Sequence, residues 1–244
     1  MTIRHPDFQL VDRNSGLYQL AFRVSTATPV LDSYIAKGDP KSGKPFENRD
    51  MVPNRVGFIK VEGGVIDCMP MTWAQHVWTN PDEVRNALPA DEQLHVISMS
   101  VLIETGDGMF PLSLRSKNVT LYPEHWHMSA AGYVDLSKAR PSCSLLHTVF
   151  AEIEEEINLL ASDITFVQQL GLCKHTRSDS AVIESCFYAK TNLGSDDVLS
   201  RVQNAKDTYE GNIHMFSGTR VREMLETEPF VPSALATALL TFDR

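Results

Sequence analysis

The stretch Ser144 to Leu159, SLLHTVFAEIEEEINL, sets four glutamates beside a regular apolar stripe within sixteen residues. At about 100° of turn per residue, Leu146, Val149, Phe150, Ile153 and Ile157 share one face of an α-helix that docks on a core. Glu152, Glu155 and Glu156 fall together on a neighbouring face, and Glu154 points elsewhere. Carboxylates held this close raise one another's pKa, and each like-charge i,i+4 pair costs about 0.2–0.5 kcal/mol even on an exposed helix. A divalent cation turns that repulsion into attraction, and an oxygen-only donor set suits a hard ion, Mg²⁺ or Mn²⁺. A solvated acidic face is the plainer alternative for a glutamate run. The neighbouring sequence bears on the choice.

The run Ala151-Glu152-Ile153-Glu154-Glu155-Glu156-Ile157-Asn158-Leu159 resembles the second half of the Nudix box, G-x5-E-x7-R-E-U-x-E-E-x-G-U with U a bulky aliphatic. Glu152, Glu155 and Glu156 match its acids, and Ile153 and Leu159 its aliphatic positions. Arg115-Ser116-Lys117, Leu121-Tyr122-Pro123, Trp126 and Ser129 to Asp135 look like the family's strand, turn and glycine-bearing loop. The resemblance implies an α/β/α sandwich with a mixed sheet (α/β, α+β), Mg²⁺ held by Glu152, Glu155 and Glu156 with the Gly132 carbonyl as a further ligand, and hydrolysis of a diphosphate linkage in a nucleoside diphosphate derivative or related compound. The same three glutamates are the catalytic candidates. The chain departs from the pattern at four points. Ala151 stands at the box arginine, Gly132 lies nineteen residues before Ala151 where fourteen are expected, and Lys138 to Ser144 offers no acid for the first glutamate. Both partners of one ion pair are lost together, which strands no buried charge. Asn158 replaces the closing glycine and suits a left-handed helix terminus. A non-catalytic ligand-binding or regulatory protein on the same fold is the second reading. An isoprenoid-diphosphate isomerase-like enzyme is the third, although the cysteine-containing stretch of such isomerases is not evident.

The chain of 244 residues with 43% hydrophobic content can bury a sizeable core in one large or two modest domains. No stretch approaches the roughly 20 apolar residues of a membrane span, and the start, Met1 to Asp7, lacks a secretory apolar region. Cys68, Cys143, Cys173 and Cys186 show no CxxC spacing, so they read as reduced thiols in a cytoplasmic protein, not a zinc site. The formal net charge of −9 argues against a nucleic-acid polymer as partner. A small phosphorylated substrate remains compatible, because a bound cation and local basic residues can hold it. A homodimer is compatible with the family.

Along the chain, residues 1–93 form a smaller, strand-rich N-terminal region, with strands expected at Phe8 to Val11, Tyr18 to Val24 and Val56 to Val61. Gly38-x4-Gly43-Lys44 has P-loop spacing, but Pro45 stands where a Ser or Thr is required and removes a backbone donor, so a turn is expected. Trp73 and Trp78 read as core or interface anchors, and Asn80-Pro81-Asp82 as a helix start. Residues 94–244 carry the Nudix-like part. It opens with a strand over Leu94 to Ile103, a hairpin turn at Thr105 to Gly108 and a strand over Met109 to Leu114. Strands follow at Asp163 to Gln168 and Ala181 to Ala189, with helices at Asp196 to Ala205, Thr219 to Leu225 and from Pro232.

Arg115 suits a phosphate through its planar fork, and Tyr122 and Trp126 can frame a flat group or else form core. These three are the substrate-binding candidates. His125 and His127 share one face if they lie on a strand, the minimum for a transition-metal pair. Glu184, Glu210 and His214 can supply a general base, with a surface position as the commoner state of such side chains.

Overall fold

The computed structural model describes residues 4–13, 17–22, 29–89, 93–119, 121–176, 181–205 and 211–243. In chain order the strands are β1 (Arg4–His5), β2 (Phe8–Asp12), β3 (Gln19–Phe22), β4 (Pro53–Glu62), β5 (Val65–Thr72), β6 (His95–Glu104), β7 (Met109–Arg115), β8 (Trp126–Met128), β9 (Ala130–Tyr133), β10 (Ile164–His175), β11 (Val182–Thr191) and β12 (Gly211–Ser217). The helices are α1 (Pro29–Ile35), α2 (Trp73–Thr79), α3 (Asp82–Ala87), α4 (Leu136–Ser142), α5 (Leu146–Ile157), α6 (Ser195–Val202), α7 (Gly218–Thr227) and α8 (Pro232–Phe242).

A nine-stranded mixed sheet carries the chain, in the order β1-β2-β10-β11-β6-β4-β5-β3 with β9 also on β6. A three-stranded sheet, β12-β7-β8, accompanies it. The β6–β11 pair is parallel and central, and β6 is buried over nearly its whole length. Such continuous burial needs cover on both faces. On one face Ile97, Met99, Val101 and Ile103 meet Leu145, Val149, Ile153 and Ile157 of the α5 segment. On the other, Leu102 joins a cluster with the nearly all-buried α8 and with Leu112 of the second sheet. The result is an α+β fold with a mixed sheet between helical layers, as the sequence led us to expect.

Two features differ from the sequence reading. The turn at Thr105 to Gly108 forms, with Gly108 N–H donating to Thr105 O at 2.9 Å, but it joins strands of different sheets. Strand β6 already has β11 on one edge and β4 and β9 on the other, so β7 finds its partners in β8 and β12. The expected division near residue 93 lies within one continuous sheet. Strand β4 pairs with β6 through Gly57↔Val96 and β2 with β10, so strands of residues 1–93 stand at both ends of it. That region also holds a satellite core of α1, α2 and α3 around Leu31, Ala74 and Leu88. Residues 90–92, beside the expected division, and Arg23 and Val24 lie outside the described residues.

The P-loop-like segment is closed on itself: Lys41 N–H and the Ser42 hydroxyl both donate to the Asp39 carboxylate, at 2.9 Å each. Its own acid takes donors that a phosphate would need. No described helix is long and apolar enough to cross a membrane.

Ile153 is fully buried in the α5 seam. Ile153→Ala should lower unfolding free energy by about 2–5 kcal/mol, read from the urea midpoint. A loss under about 1 kcal/mol would mean that α5 is not seated on this core.

Candidate functional site

Helix α5 spans Leu146–Ile157 and buries Val149, Ile153 and Ile157, the expected stripe. Asn158 ends it in the left-handed conformation at φ 56°, its N–H donating to Glu154 O at 3.0 Å. Its side-chain amide also donates to Arg201 O at 3.3 Å, which ties the helix end to α6. The closing position thus works with asparagine in place of glycine.

The glutamate face lies along β9. A Cβ on Gly132 would sit 2.6 Å from Glu152 Oε2 and 2.8 Å from its Cδ, so the missing side chain is the space in which that carboxylate lies. Glu156 Oε2 accepts the Ala131 N–H at 3.0 Å. Glu155 Oε1 stands 3.5 Å from Lys138 Nζ, and Lys138 belongs to α4, a helix built from the residues that lengthen the Gly132–Ala151 interval. Burial pushes the Glu152 carboxyl up to about 7; the nearby Lys138 charge opposes this, Glu155 adds to it, and Arg55 opposes it more weakly. Arg55 comes from β4, with its guanidinium 5.4 Å from the Tyr133 ring centre and 5.9 Å from that of Trp73. Lys138 and Arg55 therefore supply positive charge to the acid cluster, in which residue 151 itself is an alanine.

Among the described residues no three His, Cys, Asp or Glu side chains converge as a ready metal cage. The donor set nevertheless fits a hard divalent cation: it is all oxygen, Glu152 is desolvated against the Gly132 gap, and a cation would offset the burial that raises its pKa and the smaller repulsion from Glu155.

Beside this face a cavity of about 900 Å³ runs between the two sheets. Arg115, Tyr122, Gly132 and Glu156 line it, together with His127, Ser129, Tyr133 and Glu184. Glu152 and Glu155 are not in its wall. Nor is Trp126, which packs edge-on against Phe216 at 5.1 Å and His214 at 5.6 Å. The histidine pair does not form either. His125 precedes β8 and its Nδ1 lies 2.8 Å from Pro123 O. His127 is in the cavity wall, where burial and the charge of Arg115 push it down to about 4. A neutral His127 whose Nδ1–H donates to Met128 O at 3.0 Å presents Nε2 as an acceptor. His214 is exposed, and Glu210 lies outside the described residues.

Glu184 corrects the surface expectation. It is 2% exposed, and its Oε2 accepts the Ser98 hydroxyl. Burial pushes its carboxyl up to about 7, against the opposing pull of the nearby Ser98 and Ser100 hydroxyls. The sequence did carry a signal: Glu184 is the only charged residue in the otherwise apolar and small run Ala181 to Ala189.

No protein-family model matches this chain, and no curated protein does. Among solved structures, a MutT/Nudix family protein from Listeria innocua is similar over 60% of this chain and 91% of its own, at 21% identity and a TM-score of 0.44. The MutT protein from Methanosarcina mazei Go1 covers 61% of this chain and 92% of its own, at 23% identity and a TM-score of 0.39. The Bacillus subtilis pyrophosphohydrolase BsRppH is similar over 49% and 61%, at 14% identity and a TM-score of 0.33. With identities and TM-scores this low, the likenesses carry no argument about activity.

The raised Glu184 pKa has a definite sign. A carboxyl near 4.3 in the unfolded chain and about 7 in the fold favours folding while protonated, so its contribution is complete below pH 4 and is lost as pH rises through 7. Glu184→Gln should therefore gain melting temperature relative to the parent as pH goes from 5 to 8. A difference that is constant with pH would contradict the buried, raised carboxyl.

Proposed function

We propose that this chain is a Mg²⁺-dependent hydrolase of a diphosphate linkage in a small molecule, a nucleoside diphosphate derivative or related compound. The observation that carries this reading is the seating of Glu152 in the Gly132 gap, one turn from Glu156, which accepts the Ala131 N–H and, unlike Glu152, lines a large cavity. Glu152, Glu155 and Glu156, with the Gly132 carbonyl, would hold Mg²⁺ or Mn²⁺. When bound, the cation neutralises diphosphate charge and acidifies water for attack.

The chain's own residues do the rest. Arg115, at the end of β7 and in the cavity wall, supplies a fork for phosphate oxygens. The backbone around it is fixed: Arg115 N–H donates to His125 O at 3.0 Å, and Arg115 O accepts the Glu124 N–H at 3.2 Å. Tyr122 lines the same wall from a left-handed residue at φ 51°, and offers its ring to a flat substituent. Lys138 holds Glu155 while the site is without cation, which limits the repulsion that three carboxylates impose on the helix.

A binding protein without turnover is favoured by one observation, the Lys138–Glu155 pair that occupies a proposed ligand. The two readings separate on metal-dependent product formation. Glu156→Gln should lower Mg²⁺-dependent kcat by about 10²-fold or more, the loss of roughly 3 kcal/mol of charge stabilisation, with folding retained. Glu154→Gln should stay within about 2-fold. Equal losses at Glu154 and Glu156 would contradict the helix phase, and no EDTA-sensitive cleavage of any diphosphate compound would leave binding as the function.

A further inference from the structure

The cavity holds more polar chemistry than the cation and phosphate reading uses. Glu184 and Ser129 are each 2% exposed, both line the cavity, and both keep an oxygen without a hydrogen-bonding partner, Glu184 Oε1 and Ser129 Oγ. A buried acceptor or donor left unmet costs about 1–3 kcal/mol, and buried polar groups in folded proteins are nearly always met. An acid in an apolar central strand, with one oxygen anchored by Ser98 and the other buried and unmet in the lining of a cavity, has the form of a recognition group.

Its placement agrees with the phosphate end. Glu184 is in register with Ser98, and Ser98 with Tyr133 of β9. At ~4.8 Å per strand, Glu184 stands about 10 Å across the sheet from β9. Side chains alternate along strands, so Glu184, Ser98 and Tyr133 share one sheet face while Gly132 faces α5. The cavity is lined from both faces at β9, by Gly132 and Glu156 on one side and Tyr133 and Glu184 on the other. An extended nucleotide covers that distance between the edge of its base and its diphosphate.

We propose, resting on the reading of the cavity as a nucleoside diphosphate site, that Glu184 and Ser129 select a guanine-type base. An ionised carboxylate accepts only, and guanine offers two neighbouring N–H donors, N1–H and the N2 amino group. Its adjacent O6 accepts, which suits the Ser129 hydroxyl as donor. Adenine places a ring acceptor beside its amino group, and that lone pair opposes a carboxylate. Hypoxanthine keeps N1–H and O6 but lacks the amino donor. Two N–H donors would also offset the burial that holds the Glu184 carboxyl up.

The test is calorimetric binding of GMP, IMP and AMP to the full chain without metal, for the parent, Glu184→Gln and Ser129→Ala, each shown to be folded by circular dichroism. The parent should bind GMP at least 10-fold more tightly than AMP, with IMP in between. Glu184→Gln should bring GMP and AMP within about 2-fold, and Ser129→Ala should narrow the gap. Equal affinities in the parent, a preference that survives Glu184→Gln, or no binding of any of the three overturns the proposal. Metal-dependent cleavage is measured separately. Guanine preference without cleavage would sink the hydrolase reading alone, and cleavage without guanine preference would sink this one alone.

Discussion

The contact on which the rest depends is that of Glu152 with the bare backbone of Gly132. Any side chain at residue 132 would meet the carboxylate well inside van der Waals distance. The approach fixes the rotation of α5 about its axis. With Glu152 against β9, Val149, Ile153 and Ile157 must face the sheet, Glu156 reaches the Ala131 N–H, and Glu155 turns to α4 and Lys138. One glycine thus couples the hydrophobic seam to the arrangement of the acids.

Much of this was legible in the sequence, because it follows from helical periodicity. The α5 stripe, the acid face and the Asn158 terminus all depend on residues within sixteen positions of one another. The segments that escaped depend on distant partners. Strand β12 and helix α4 have weak local patterns; β12 forms because β7 offers it an edge, and α4 because its residues pack on α5. The unpaired β6–β7 turn misleads for the same reason, since turn chemistry reports a reversal of the chain and not which strand takes the neighbouring edge. Glu184 escapes a local reading because exposure is the usual state of glutamate, whereas here the strand around it is buried on both faces. Trp126 was placed by its aromatic character, but aromatic packing against His214 and Phe216 claims it instead.

The first 93 residues gain a role in the geometry that no motif announced. Strand β4 extends the main sheet past β9, and an isolated bridge joins Arg55 to Asp135, just beyond β9. The guanidinium stands near the rings of Trp73 and Tyr133 and lowers the cost of the Glu152 charge. Lys138 does the same from α4. Positive charge reaches the acid face from two other elements, β4 and α4, so α5 needs no basic residue of its own to oppose its carboxylates.

The most direct test of the account is where a divalent cation sits. Mn²⁺ titrated into ¹⁵N-labelled protein broadens the resonances of nearby amides. The account predicts that Ala131, Gly132 and the Glu152 to Glu156 turn broaden first, and that Glu156→Gln abolishes the effect. Broadening confined to other acidic residues, with the β9 and α5 amides untouched, would contradict it.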